Sequence, residues 1–209
     1  MSAKAGFGGA LRSELTKIRS VRSTYWALVA TVLVTVLIGA LICAFVLGAS
    51  FGPRSSYYDP THLSLVGLII GQLIIAALGA LTVTSEYATG MIRTSLTVQP
   101  RRSTLFAAKA TAFTLVSLAA GLVAAFTSFL LGQAILSRRD LGAALGQPHV
   151  LRAVVGAGLF LCVSGLLALG LGALLRYTAG AVAAAIAVLF VSAAMSSFLP
   201  DSWQASVSK

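Results

Sequence analysis

Five stretches of this chain, about residues 26–48, 63–84, 110–136, 153–175 and 179–199, contain no Asp, Glu, Lys or Arg. Each reaches the roughly 20 residues that carry an α-helix across about 30 Å of hydrocarbon. Hydrocarbon offers no partner to a free backbone N–H or C=O, so a segment there must satisfy its own hydrogen bonds. Uninterrupted apolar runs of this length do so as helices. The expected fold is therefore an all-α polytopic membrane protein: an N-terminal amphipathic interfacial helix followed by five transmembrane helices. Charged residues make up only 10% of the chain, against about 25% in soluble domains.

The net charge of +10 does not indicate nucleic acid, because the basic residues fall between apolar runs, the pattern of cytoplasmic loops. With the N-terminus inside, the inner segments hold Lys4, Arg12, Lys17, Arg19, Arg22, Arg93, Arg101, Arg102, Lys109 and Arg176. The outer ones hold Arg54, Arg138, Arg139, Arg152 and Lys209. That imbalance predicts a multi-pass protein of a bacterial cell membrane with its N-terminus in the cytoplasm. Tyr25, Trp26, Tyr57, Tyr58 and Trp203 flank the runs, as interfacial aromatics do.

Residues 1–25 divide from the transmembrane region, 26–209. After Gly8-Gly9, Leu11, Leu15 and Ile18 recur at helical spacing, with Arg12, Lys17 and Arg19 on the other face. This predicts a helix lying in the headgroup region. Glu14 stands three residues before Lys17, the spacing of a helical ion pair.

The segment 85–109 is polar and lies between two spans, so it must be ordered at one membrane surface. The second span should end near Glu86, with helix continuing towards Thr97. Gly90 weakens such a helix by about 1 kcal/mol relative to Ala and marks a bend or a close contact. Pro100 stops it, since the residue before proline leaves the α region, and opens the next helix. Arg101 and Arg102 then fall in a first turn, at the positive end of the dipole, unfavourable by roughly 0.3–1 kcal/mol each. Anionic lipid or an acidic protein surface would offset that.

The remaining loops carry less. Gly52-Pro53 and Asp59-Pro60 are turn signals. Asp59 and His62 lack further ligands and read as a solvated loop, and no metal site is expected. Leu141 to Leu145 has the length of a short surface or re-entrant helix. Gly67-x-x-x-Gly71 is a small-residue spacing that permits close helix packing. Gln72 and Gln133 are placed to hydrogen-bond between spans. Cys43 and Cys162, with no CxxC spacing, read as small buried hydrophobes. No ionisable side chain is expected deep in a span, which argues against proton- or ion-coupled transport.

Glu86-Tyr87-x-x-Gly90-x-Ile92-Arg93-x-x-Leu96-x-x-x-Pro100-x-Arg102, followed by Ala108-Lys109, resembles the first cytoplasmic loop of type-2 ABC transporter permeases. Leu11-Arg12-Ser13-Glu14-x-x-Lys17-x-Arg19-Ser20-x-Arg22 is similar to the start of actinobacterial members. Gly170-x-Gly172-x-Leu174-x-Arg176-x-Thr178-Ala179-Gly180 also resembles that family. The resemblance implies a permease subunit of an ATP-driven exporter, working with a separate ABC ATPase and a second permease copy or paralogue. It implies that Glu86, Gly90, Arg93, Pro100, Arg101 and Arg102 belong to or flank a coupling helix, and that Arg176 lies in the second cytoplasmic turn. It also implies six spans, whereas this sequence ends about ten residues after its fifth apolar run.

The chain has no GxxxxGK[ST] phosphate loop, GxSxG or HExxH motif, so it is not expected to be an enzyme. It carries no cofactor of its own, and ATP and Mg would sit on the partner. Two other functions remain open from the residues. One is a non-pumping scaffold or immunity protein that sequesters a hydrophobic compound or peptide. The other is a lipid-acting enzyme with Glu86 as its acid.

Overall fold

A computed structural model describes residues 6–48, 59–91, 102–139 and 141–196. These form helices α1 (Phe7–Ser20), α2 (Arg22–Gly48), α3 (Pro60–Leu65), α4 (Leu68–Ala88), α5 (Arg102–Leu136), α6 (Val150–Leu175) and α7 (Thr178–Ser196), with a 3-10 turn at Ser137–Arg139. Arg93, Pro100 and Arg101 lie outside the described residues. The fold is all-α and polytopic. Four units, Arg22–Gly48, Pro60–Ala88, Ser103–Leu136 and Val150–Leu175, are long and apolar enough to cross a membrane, and Thr178–Val191 is a shorter apolar helix.

The four long units form a ring in the order α2, α4, α6, α5, so that α4 and α5, consecutive in the chain, lie diagonally. The core sits inside, built from Ile75, Leu78 and Val83 of α4, Phe113 of α5, and Leu161 and Leu169 of α6. α7 packs against α4 and α6, and α1 packs mainly on α5. Outward, α2 exposes Leu33, Leu37, Leu41 and Phe45, a stripe at four-residue spacing that suits hydrocarbon.

α2 meets α4 closely at Gly67 and Gly71. A Cβ on Gly67 would strike the backbone carbonyl of Thr35, and one on Gly71 the Thr35 hydroxyl. Only glycine lets the two backbones approach so far. The same place interrupts the second span. Between α3 and α4 the hydrogen bonds tighten to Ile69 N–H donating to Val66 (3.1 Å) and Ile70 N–H to Gly67 (3.2 Å). The carbonyl of Ser64 is then met by the Ser128 hydroxyl (2.6 Å), which satisfies a group that hydrocarbon could not.

Several boundaries differ from those read in the sequence. The break between the interfacial helix and the first span falls at Val21, in extended conformation, and not at 25. The second span begins at Pro60, because Asp59 caps it, accepting from the N–H groups of Thr61 (2.8 Å) and His62 (3.3 Å). It ends at Ala88, close to the Glu86 expected, and Gly90 takes the left-handed conformation, φ 70°, that stops helices; the helix expected towards Thr97 falls on residues outside those described. Residues 141–145 are not helical. Gly142 and Gly146 disfavour helix there, and the Ala143 N–H bonds the Gln133 side chain (2.6 Å) instead of a helical carbonyl.

Candidate functional site

Two acidic and two basic side chains from three helices close into a ring at one end of the bundle. Lys109 Nζ donates to Glu14 Oε2 (2.6 Å) and to Glu86 Oε1 (2.8 Å). Lys17 Nζ donates to Glu14 Oε1 (2.8 Å) and to the same Glu86 Oε1 (3.1 Å). Glu14 is 2% exposed, and Glu86 and Lys109 are each 5% exposed. The Lys17 side chain alone reaches solvent, at 35%.

Each position follows from its helix. Glu14 and Ala10, four apart, form the buried edge of α1. Glu86 lies in the last turn of α4, at the negative end of its dipole, where a lone carboxylate is disfavoured and cations are welcome. Lys109 lies seven residues into α5, roughly 10 Å along its axis. The four formal charges cancel, which is the condition under which buried ions are tolerated.

Burial pushes the Glu14 carboxyl upward, but the charge and hydrogen bond of Lys109, with those of Lys17, outweigh it and hold the group below its usual 4.5. Burial likewise pulls the Lys17 ammonium down, but the hydrogen bonds and charges of Glu14 and Glu86 more than offset this and raise it above 10.5. Glu86 Oε2 is buried with no hydrogen-bond partner among the described residues.

The turn between α6 and α7 reaches the same end of α4. Arg176, left-handed at φ 56°, places its guanidinium 5.4 Å from the centre of the Tyr87 ring. The Thr178 hydroxyl donates to that of Thr84 (3.0 Å). The last turns of α4 thus hold α1, α5 and the start of α7.

Of the residues singled out in the sequence, Glu14, Lys17 and Glu86 meet in the ring, Arg176 sits beside it, and Gly90 ends α4. Arg12, Arg19 and Arg22 are exposed and apart from it. Arg102 is the first residue of α5. One expectation is corrected. Lys17 does not stay on an outer polar face of α1, because two carboxylates draw it inward. Lys109 lies in the early turns of α5, which starts at Arg102, close to the start expected after Pro100. Glu14 and Lys109 are 95 residues apart, so only tertiary packing reveals the pair.

Gln133 forms a second polar junction. Its amide donates to the Pro60 carbonyl and the Ser64 hydroxyl, both at 3.0 Å. Gln72 Oε1, by contrast, is buried with no partner among the described residues. Among those residues no His, Cys, Asp and Glu cluster could hold a metal. Cys43 and Cys162 are buried free thiols.

A family model described as ABC-2 family transporter protein matches residues 10–196, from the middle of α1 to the end of α7. No curated protein and no solved structure matches the chain. The chain belongs to the ABC-2 transporter family: it is a multi-pass membrane permease subunit of an ABC transporter, the transport subunit and not the catalytic one, in a family that implies an ABC ATPase partner.

Proposed function

We propose that the chain is the permease of an exporter, that segment 85–109 receives the motion of a separate ATPase carrying ATP and Mg, and that a second permease copy or relative completes the pathway. The end of the bundle bearing α1 faces the cytoplasm in this reading, in keeping with the distribution of Lys and Arg. One observation carries the proposal: the segment joining α4 to α5 has both its ends fastened to α1 through a single ring, at Glu86 and Lys109. A force on that segment therefore moves three helices, and through Tyr87 and Thr84 it also reaches the turn at Arg176. The sequence contains no GxxxxGK[ST] phosphate loop, which supports a reading in which nucleotide is handled by another chain.

The test is co-purification of the tagged permease with its ATPase in mild detergent. Arg101→Glu with Arg102→Glu is expected to lose the ATPase while the permease still inserts. Full retention of the ATPase by that variant would overturn the proposal.

A further inference from the structure

A cavity of about 460 Å³ lies between α1, the first turns of α2 and the last turns of α4. Small-molecule sites span roughly 300–1,000 Å³. Much of the wall is apolar, from Ala27 of α2 and Ile74, Ala77, Leu78 and Leu81 of α4. At the rim Val21, Leu81 and Met91 are exposed apolar residues, so the mouth suits a molecule arriving from an apolar phase.

Ser23, Thr24 and Ser85 also line the cavity with hydroxyls that can donate or accept, while three other groups at the end of α4 offer acceptors. Thr82 and Thr89 line the cavity, and their hydroxyls donate to the carbonyls of Leu78 (2.7 Å) and Ser85 (2.8 Å). With those protons committed, each oxygen is left as an acceptor. Glu86 is in the same wall, 5% exposed, and its Oε2 lacks a partner among the described residues. All three groups stand on the last turns of α4, at the negative end of its dipole. Lys17 and Lys109 are also in the wall, but Glu14 and Glu86 Oε1 already meet their charges.

We propose that this cavity binds an amphipathic amine, whose ammonium donates to Glu86 Oε2 and the threonine oxygens of α4 while its apolar body lies along Ala77 and Leu81. The site needs no ATPase to bind and stands whether or not segment 85–109 couples to one.

The test uses the full chain in lipid nanodiscs, with empty nanodiscs subtracted. Three fluorescent dodecyl probes share one tail and end in a primary ammonium, a trimethylammonium or a carboxylate. The trimethylammonium keeps the charge but has no N–H to donate. Saturable binding is expected for the primary ammonium and at least ten-fold weaker binding for the other two. Ala77→Phe, which fills the cavity away from the charge ring, should weaken the primary ammonium probe ten-fold or more. Leu81→Trp should do the same from the exposed rim, where folding is not at stake. Equal binding of all three heads, tighter binding of the carboxylate, or wild-type affinity in Leu81→Trp would overturn the proposal.

Discussion

Lys17 and Lys109 each touch both carboxylates, and Lys109→Met removes the buried one of the two while keeping the length and apolar stem of the side chain. Glu14 and Glu86 are then left sharing Lys17, and the ring carries a net negative charge inside the protein. Removing one partner of a buried ion pair costs about 3–5 kcal/mol. Lys17→Met removes a cation whose side chain is 35% exposed, where solvent screening holds the cost to roughly 0–1 kcal/mol. For a chain of this size each kcal/mol corresponds to about 2–4 °C in melting temperature. Lys109→Met should therefore lower it by roughly 6–20 °C, and Lys17→Met by no more than about 4 °C. The double variant Lys109→Met with Glu86→Gln leaves Glu14 paired with Lys17 and restores neutrality. It should be more stable than Lys109→Met alone, with a coupling of roughly 1–3 kcal/mol. The assay is thermal unfolding of the purified chain in one detergent, followed by size-exclusion fluorescence. Equal losses for the two lysine variants, or a double variant worse than Lys109→Met, would refute the reasoning.

Three further outcomes follow from the same geometry. Because the Glu14 carboxyl is held below its usual value, its share of stability is present above pH 4.5 and is lost as pH falls through the depressed value; the Lys17 share is present below pH 10.5 and is lost as pH rises through the raised one. Glu14→Gln should remove its part of the acid limb, and an unchanged acid melting profile would contradict the assignment. Gly67→Ala should cost about 1–3 kcal/mol by overpacking against the fixed Thr35 carbonyl, and Gly71→Ala less, because the Thr35 hydroxyl can rotate; the order is read from their melting temperatures. Gln133→Leu strands the Ala143 N–H and should cost about 1–3 kcal/mol, checked by melting and by faster hydrogen exchange at Ala143.

Four of the five apolar runs were legible as helices long and apolar enough to cross a membrane, with the fifth a shorter apolar helix, because an uninterrupted apolar run can be satisfied in hydrocarbon only as helix. Their ends were less so. Asp59-Pro60 was read as a turn, yet a capping carboxylate followed by proline at the first helical position is also a helix start, and that signal was in the sequence. The pair of Glu14 with Lys17 was legible because it is local. The links from Glu14 to Lys109 and from Lys17 to Glu86 were not, because partners 95 and 69 residues apart meet only after α1 has docked on α5.

The two polar junctions together restrict how the bundle can move. At one end Ser128 and Gln133 of α5 hold Ser64 and Pro60 of α3. At the other, Lys109 of α5 holds Glu86 of α4. Ser64 and Glu86 are roughly 30 Å apart along the second span. Between those points α4 and α5 lie diagonally, with α2 and α6 on either side. Sliding α4 along α5 by one helical turn would break both junctions and leave buried carbonyl and carboxylate groups unpaired, which hydrocarbon makes costly. Tilting the pair as one body breaks neither. A push on the segment between Glu86 and Lys109 is therefore best relieved by a rocking of α4 and α5 together, with the glycine-lined contact of α2 at Gly67 and Gly71 as its pivot.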